Sequence, residues 1–132
     1  MNSSPHQPCV CGSGRDYATC CGIFHAGEPA PSAEALMRSR YSAYVLGIEA
    51  YLLATWHPDT RPERVELDIE PRPSWLGLKV TQVRLLSPDS AIVEFVARYK
   101  LQGRAHRLHE ISRFSRREGR WFYLEGEFPA GT

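Results

Sequence analysis

The sequence predicts an α+β fold, and three observations carry that expectation. All four cysteines fall within residues 9–21, apolar residues recur at helical spacing over residues 32–56, and from Trp75 onward the period changes to two. Helices followed by a run of strands with hairpin-type turns is the α+β order, with the helices gathered on an antiparallel sheet. Two units are expected: a cysteine module over residues 1–26 and a globular domain over residues 32–128, joined by the stiff linker Gly27-Glu28-Pro29-Ala30-Pro31.

The first helix has a start signal in Ser32, an N-cap residue, with Glu34 in the first turn where the helix dipole favours an acid. Ala33, Leu36, Met37, Tyr41, Tyr44, Val45 and Ile48 define one apolar face, and Gly47 is the expected stop. A second short helix from Glu49 to Trp56 must end near His57, because the residue before Pro58 is pushed out of the helical region. Residues 58–74 hold four prolines and read as a surface connection. Four strands follow, Leu76–Ser87, Ala91–Leu101, Ala105–Ser115 and Arg120–Phe128, separated by Pro88-Asp89, Gly103 and Glu118-Gly119. Ala91, Val93, Phe95, Ala97 and Tyr99 should share one face of the second of these.

The totals fit one soluble domain: 132 residues, 42% apolar, 23% charged. No apolar run approaches the ~18 residues needed to cross a bilayer, and no signal-peptide pattern opens the chain, so a cytoplasmic, reducing setting is expected. The net charge of +1 argues against a dedicated nucleic-acid binder. Residues 98–132 nevertheless carry 8 basic and 4 acidic side chains, and Arg104, Arg107, Arg113, Arg116, Arg117 and Arg120 raise the option of RNA binding. Aromatic residues for base stacking are thin there, only Phe114 and Trp121.

The cysteine spacing is C-x-C-x8-C-C, from Cys9-Val-Cys11 to Cys20-Cys21. Two close pairs joined by a turn supply the corners of a tetrahedron, the geometry zinc takes with thiolates. Gly12-Ser13-Gly14 lets backbone N–H groups approach the sulfurs, and Arg15 is placed to offset thiolate charge. Disulfides compete, with three pairings available, but a vicinal Cys20–Cys21 bond is strained and the compartment is reducing. A thiol redox site is disfavoured because no C-x-x-C is present. The fourth ligand is open, since His25 could replace Cys21. A closed set of four ligands leaves no position for a substrate, so the zinc is expected to be structural.

The string Cys9-Val-Cys11-Gly-Ser-Gly-Arg-Asp-Tyr17-Ala-Thr-Cys20-Cys21-Gly22 resembles the SEC-C motif found at the tail of the translocase motor SecA, which usually has His where this chain has Cys21. Ala35-Leu36-Met37-Arg38-Ser39-Arg40-Tyr41-Ser42-Ala43-Tyr44, then Thr55-Trp56-His57-Pro58, then Leu108-His109-Glu110-Ile-Ser-Arg113-Phe114 resemble the small bacterial YchJ family. That resemblance implies a zinc knuckle followed by a nuclear-transport-factor-2-like cone, helices packed on a curved four-stranded sheet. It implies no established activity. The SEC-C motif of SecA is associated with binding a chaperone and the ribosome, which by analogy makes the knuckle a docking element for a protein or ribosomal partner. A knuckle of that kind is expected to sit outside the core of the cone and to melt by itself.

A cone of this type encloses a pocket between helices and sheet, and related folds serve both as enzymes and as binding modules. The candidate polar lining residues are Arg40, Tyr41, Tyr44, His57, His109, Glu110 and Arg113. His57 has a side chain suited to general base work near neutral pH. His109 and Glu110 are neighbours on a strand and cannot both face one pocket. Structural roles outweigh catalysis for each: Tyr44 in the core, His57 closing a helix end, Glu110 paired with Arg40 or Arg113.

Overall fold

A computed structural model describes residues 7–68 and 70–129. A 3₁₀ turn, Tyr17–Thr19, leads into the short helix α1 (Cys21–His25). Helices α2 (Ala33–Leu46) and α3 (Glu49–Ala54) follow, and strands β1 (Ser74–Ser87), β2 (Ser90–Leu101), β3 (Arg104–Arg117) and β4 (Arg120–Glu127) complete the chain. The strands form one antiparallel meander in the order β1-β2-β3-β4. No described helix is long and apolar enough to cross a membrane.

The local signals account for most boundaries. Ser32 Oγ accepts the Ala35 N–H at 3.1 Å, capping α2. At the other end Gly47 takes the left-handed conformation, and the Ile48 N–H returns to the Ala43 carbonyl at 2.8 Å. The turns Gln102-Gly103 and Glu118-Gly119 both have positive φ at both positions, as tight two-residue hairpins require. Their right-handed match to strand twist fixes the register of β2 on β3 and of β3 on β4.

The second helix is shorter than the sequence predicts. It stops at Ala54 because residues 55–57 pair with β4 instead: the Tyr123 N–H donates to the Thr55 carbonyl at 2.8 Å, and the His57 N–H to the Tyr123 carbonyl at 2.7 Å. Trp56 thus bridges Tyr123 in parallel sense. Sheet pairing wins over one more helical turn because it also seats the Trp56 ring edge-on to Tyr123.

The core lies between α2 and the inner face of the sheet. Ala91, Val93, Phe95 and Ala97 of β2 are buried, as the alternation requires, with Phe114 of β3 and Trp121 of β4 beside them. The cysteine module corrects the expectation of a separate knuckle. Cys9, Cys11 and Cys21 belong to the same buried cluster as Leu36, Met37, Tyr41 and Val93. Helix α2 therefore buries more than one face. Ser39 and Ser42 are fully buried, and they lie toward the cysteine module: Ser42 Oγ is 3.7 Å from Cys9 Sγ, and the Ser39 carbonyl meets His25.

Candidate metal centre and cone pocket

The 3₁₀ turn and the backbone of residues 9–15 bring the two cysteine pairs together. The Cys9 N–H donates to the Arg15 carbonyl and the Gly12 N–H to the Cys9 carbonyl, closing a tight loop with Gly12 and Gly14 at positive φ. The four sulfurs of Cys9, Cys11, Cys20 and Cys21 all lie within 4.8 Å of one another, and Cys11 and Cys20 are 3.7 Å apart. A tetrahedron with metal–sulfur bonds of ~2.3 Å has sulfur–sulfur edges of about 3.8 Å. The donor set therefore fits a metal ion.

Hydroxyls complete the surroundings: Ser13 Oγ lies 3.1 Å from Cys20 Sγ, and Ser42 Oγ approaches Cys9 Sγ. The thiols themselves are unevenly poised. A hydrogen bond from Cys21 holds the Cys11 thiol down at about 4, and the same bond pushes Cys21 up. Burial raises Cys20. Four sulfurs this close cannot all ionise without a cation to balance them, which is what a bound metal supplies.

Two expectations at this site change. His25 is not poised as a ligand, because both ring nitrogens are engaged: Nε2 faces the Ser39 carbonyl at 2.8 Å and must donate, so Nδ1 accepts from the Tyr17 hydroxyl at 2.6 Å. Arg15 donates to the Thr19 carbonyl at 2.8 Å within the loop. The guanidinium that ties the loop to the body is instead Arg38, which donates to the Cys11 carbonyl at 2.9 Å and pairs with Glu34. All four cysteines are free, with no disulfide among them.

The His25 geometry has a consequence for pH. Burial lowers its pKa, partly opposed by the bond to Ser39. The unfolded chain then takes up a proton near the ordinary value of ~6.5 while the folded chain resists until lower pH, so stability is lost as pH falls below that value. Urea midpoints measured between pH 7.5 and 6 should fall in the wild type, and the slope should flatten in His25→Gln. Equal slopes would remove His25 as the cause.

A cavity of about 350 Å³ lies between α2 and the inner sheet face, walled by Met37, Tyr41, Trp75, Phe95, Leu108, Phe114 and Phe128. Arg40, Tyr41, Tyr44 and Glu110 line it. His57, His109 and Arg113 lie outside it. His57 is buried in the turn after α3, where Nδ1 accepts the Asp59 N–H at 3.0 Å and the ring meets Phe122. His109 points to the other sheet face and bonds Glu94 at 2.6 Å; Arg113, also on that face, lies 3.6 Å from Glu127.

Arg40 and Glu110 are 5% and 8% exposed, so two charged groups are buried in the wall of an aromatic cavity. Arg40 Nη1 donates to the Leu52 carbonyl and to Thr55 Oγ1, both at 2.8 Å, while its guanidinium lies 5.0 Å from the Trp56 ring centroid and 4.5 Å from that of Tyr123. Glu110 Oε2 accepts from Ser112 Oγ at 2.9 Å and from the Tyr123 hydroxyl at 3.0 Å. Burial raises the pKa of Tyr44 and Tyr123, so both hydroxyls stay protonated donors. Trp56 Nε1 is buried and has no hydrogen-bond partner among the described residues.

Trp56, Tyr123 and Gly126 are site residues that the sequence reading missed. Gly126 lies in β4, and a Cβ there would land on Glu110 Oε2 and come within 2.9 Å of the Tyr123 hydroxyl. Gly126→Ala should therefore displace the Glu110 cluster and cost about 1–3 kcal/mol in urea unfolding. A change under a few tenths would show that Glu110 moves aside freely.

The arginine run does not form one surface. Arg104 and Arg107 stand at the β2–β3 turn, whereas Arg116, Arg117 and Arg120 stand at the opposite end of the 14-residue β3, on the order of 40 Å away. Arg116 is also tied to Asp89 at 3.2 Å and lies over Trp121.

A four-thiol cluster seated in the core of a helix-backed antiparallel cone defines a SEC-C protein with a nuclear-transport-factor-2-like domain. Two family models match: the SEC-C motif over residues 7–23, and the YchJ middle NTF2-like domain over residues 32–126. The chain belongs to the YchJ family, whose curated members carry the name UPF0225. It is 61% identical over 127 residues to a UPF0225 protein of Methylibium petroleiphilum, covering 92% of this chain and 90% of that one. A UPF0225 protein of Xanthomonas oryzae is 53% identical over 93% of this chain and 96% of its own length. Among solved structures, a SEC-C motif containing protein from Rhodopseudomonas palustris is similar with a TM-score of 0.82 at 36% identity, covering 93% of this chain and 99% of that one. A second, from Psychrobacter arcticus, has a TM-score of 0.73 at 26% identity, covering 95% and 83%.

Proposed function

We propose that this is a cytoplasmic small-molecule-binding protein in which a structural zinc, held by Cys9, Cys11, Cys20 and Cys21, secures the wall of the cone, and the cone pocket takes the ligand. The observation that carries the reading is the cavity itself. It is about 350 Å³, apolar over most of its wall, with Arg40 and Glu110 buried in that wall. Ligand sites have that composition: a hydrophobic lining with few, fixed polar groups. Four thiol donors with no open position support zinc as the metal and argue against catalysis there.

Purified protein should contain one zinc per chain by elemental analysis. A thermal-shift screen against a metabolite library should give ligands whose stabilisation is lost in Tyr44→Phe or Glu110→Gln and kept in His57→Gln. Silence across a broad library would leave the cavity as packing alone.

Docking of the cysteine module on a protein or on the ribosome is the second reading. Its support is that Val10 and Ile23 stand more than one-third exposed on the outer side of the module. Co-sedimentation with ribosomes, lost in a Val10→Asp, Ile23→Asp double variant that keeps its zinc, would favour it. Sedimentation unaffected by that double variant would exclude this face.

A further inference from the structure

We infer that the pocket selects an uncharged, largely apolar molecule carrying an amide-like pair, one hydrogen-bond acceptor beside one donor, with Arg40 receiving the acceptor and Glu110 the donor. This rests on the pocket reading above and names the chemistry of its ligand.

A guanidinium has five N–H donors. In Arg40 the Nη1 hydrogens go to Leu52 and Thr55, while Nε and Nη2 meet no hydrogen-bond acceptor among the described residues. A carboxylate has two oxygens, and in Glu110 both donors, Ser112 and Tyr123, meet Oε2, leaving Oε1 without one. Trp56 Nε1 is the single fully buried, unpartnered side-chain polar atom among the described residues. The free groups of Arg40 and Glu110 are therefore not sealed in protein but open on the space of the cavity. Both residues line the cavity and are more than nine-tenths buried from bulk solvent.

Leaving such capacity unmet is costly, more so for a charged group, so the occupant is selected by its ability to meet it. The two charges are opposite, and both line the one cavity. Burial is the largest effect on the Arg40 guanidinium, and the negative charge of Glu110 acts on it in the opposite sense. An anionic ligand would satisfy Arg40 while facing Glu110, and a cation would do the reverse. A neutral ligand with a carbonyl and an adjacent N–H satisfies both. The aromatic rings of Tyr41, Tyr44, Trp75 and Phe95 then receive its flat apolar body.

Four ring compounds of similar size separate the possibilities: benzamide, with donor and acceptor; acetophenone, with acceptor only; benzoate, the anion; and ethylbenzene, with neither. Titration into the zinc-loaded protein, followed by calorimetry or NMR shifts, should rank benzamide first. Acetophenone, benzoate and ethylbenzene should each be at least ~10-fold weaker, the ratio one hydrogen bond to a charged group supplies. Equal binding of all four would overturn the amide inference while leaving an apolar pocket, and benzoate in first place would overturn the neutrality. Binding of none would overturn the pocket reading itself. Glu110→Gln adds a sharper arm. The Gln oxygen can accept from Ser112 and Tyr123, placing an NH₂ donor where the free oxygen was, so acetophenone should now equal or exceed benzamide. Retention of the wild-type order by a folded Glu110→Gln protein would remove Glu110 from the role.

Discussion

Cys11→Ser, or removal of metal by a chelator, is expected to unfold the whole chain rather than to loosen residues 9–25 alone. Cys11 is fully buried, and with Cys9 and Cys21 it lies in one cluster with Leu36, Met37 and Tyr41 of α2. Loss of the metal would leave four sulfurs within 4.8 Å of one another, in surroundings where thiolates are poorly solvated. Structural zinc in small modules contributes about 10–16 kcal/mol of apparent binding free energy, which matches or exceeds the roughly 5–15 kcal/mol that holds a domain together. The loop would carry with it the Arg38 bond to Cys11 and the His25 bond to Ser39, both anchored on α2. Circular dichroism of the sheet and near-ultraviolet signals from Trp75 and Trp121 should be lost together on chelation. A chelated protein that keeps its sheet and its cooperative thermal transition would show that the cone stands without the cysteines.

Arg40→Met is the second large effect, expected at about 3 kcal/mol in urea unfolding, because two buried acceptors lose a charged donor together. The side chain ties α2 to the end of α3 and to β4. It donates to the Leu52 carbonyl and Thr55 hydroxyl at the end of α3, and it lies over the rings of Trp56 and Tyr123. Methionine fills comparable space but leaves those acceptors without a donor and Glu110 without its opposing charge. Arg40→Lys should recover part of the loss, because an ammonium keeps the charge but not the planar fork. A loss below about 1 kcal/mol in Arg40→Met would mean that water enters and replaces the guanidinium.

Where local chemistry decides the structure, it could be read from the sequence. Ser32, Gly47 and the pairs at 102–103 and 118–119 act through their own backbone or side chain, and the strands between those turns lie within about two residues of the expected bounds. The cysteine quartet was legible for the same reason, being contained in thirteen residues. What was hidden depends on partners distant in sequence. Ser39, Arg40 and Ser42 look like the polar side of an amphipathic helix, yet they are buried because the cysteine loop covers Ser39 and Ser42, and Trp56 and Tyr123 cover Arg40. A run of Arg, Tyr and Ser on consecutive helical positions is the signal that both sides are occupied. Gly126 gives no signal by itself, because its reason is a carboxylate sixteen residues earlier. Trp56 reads as helical in the sequence because nothing local announces a pairing with Tyr123.

Helix α2 has the metal-side serines on one flank and Arg40 and Tyr44 on the other, so a single rigid rod forms part of both chambers. Anything that shifts that rod is registered in both places. Thermodynamic linkage then fixes a reciprocity: the factor by which a loaded metal tightens the pocket's ligand is the factor by which the ligand tightens the metal. Under the function proposed above, metal supply would then alter how much ligand the pocket retains.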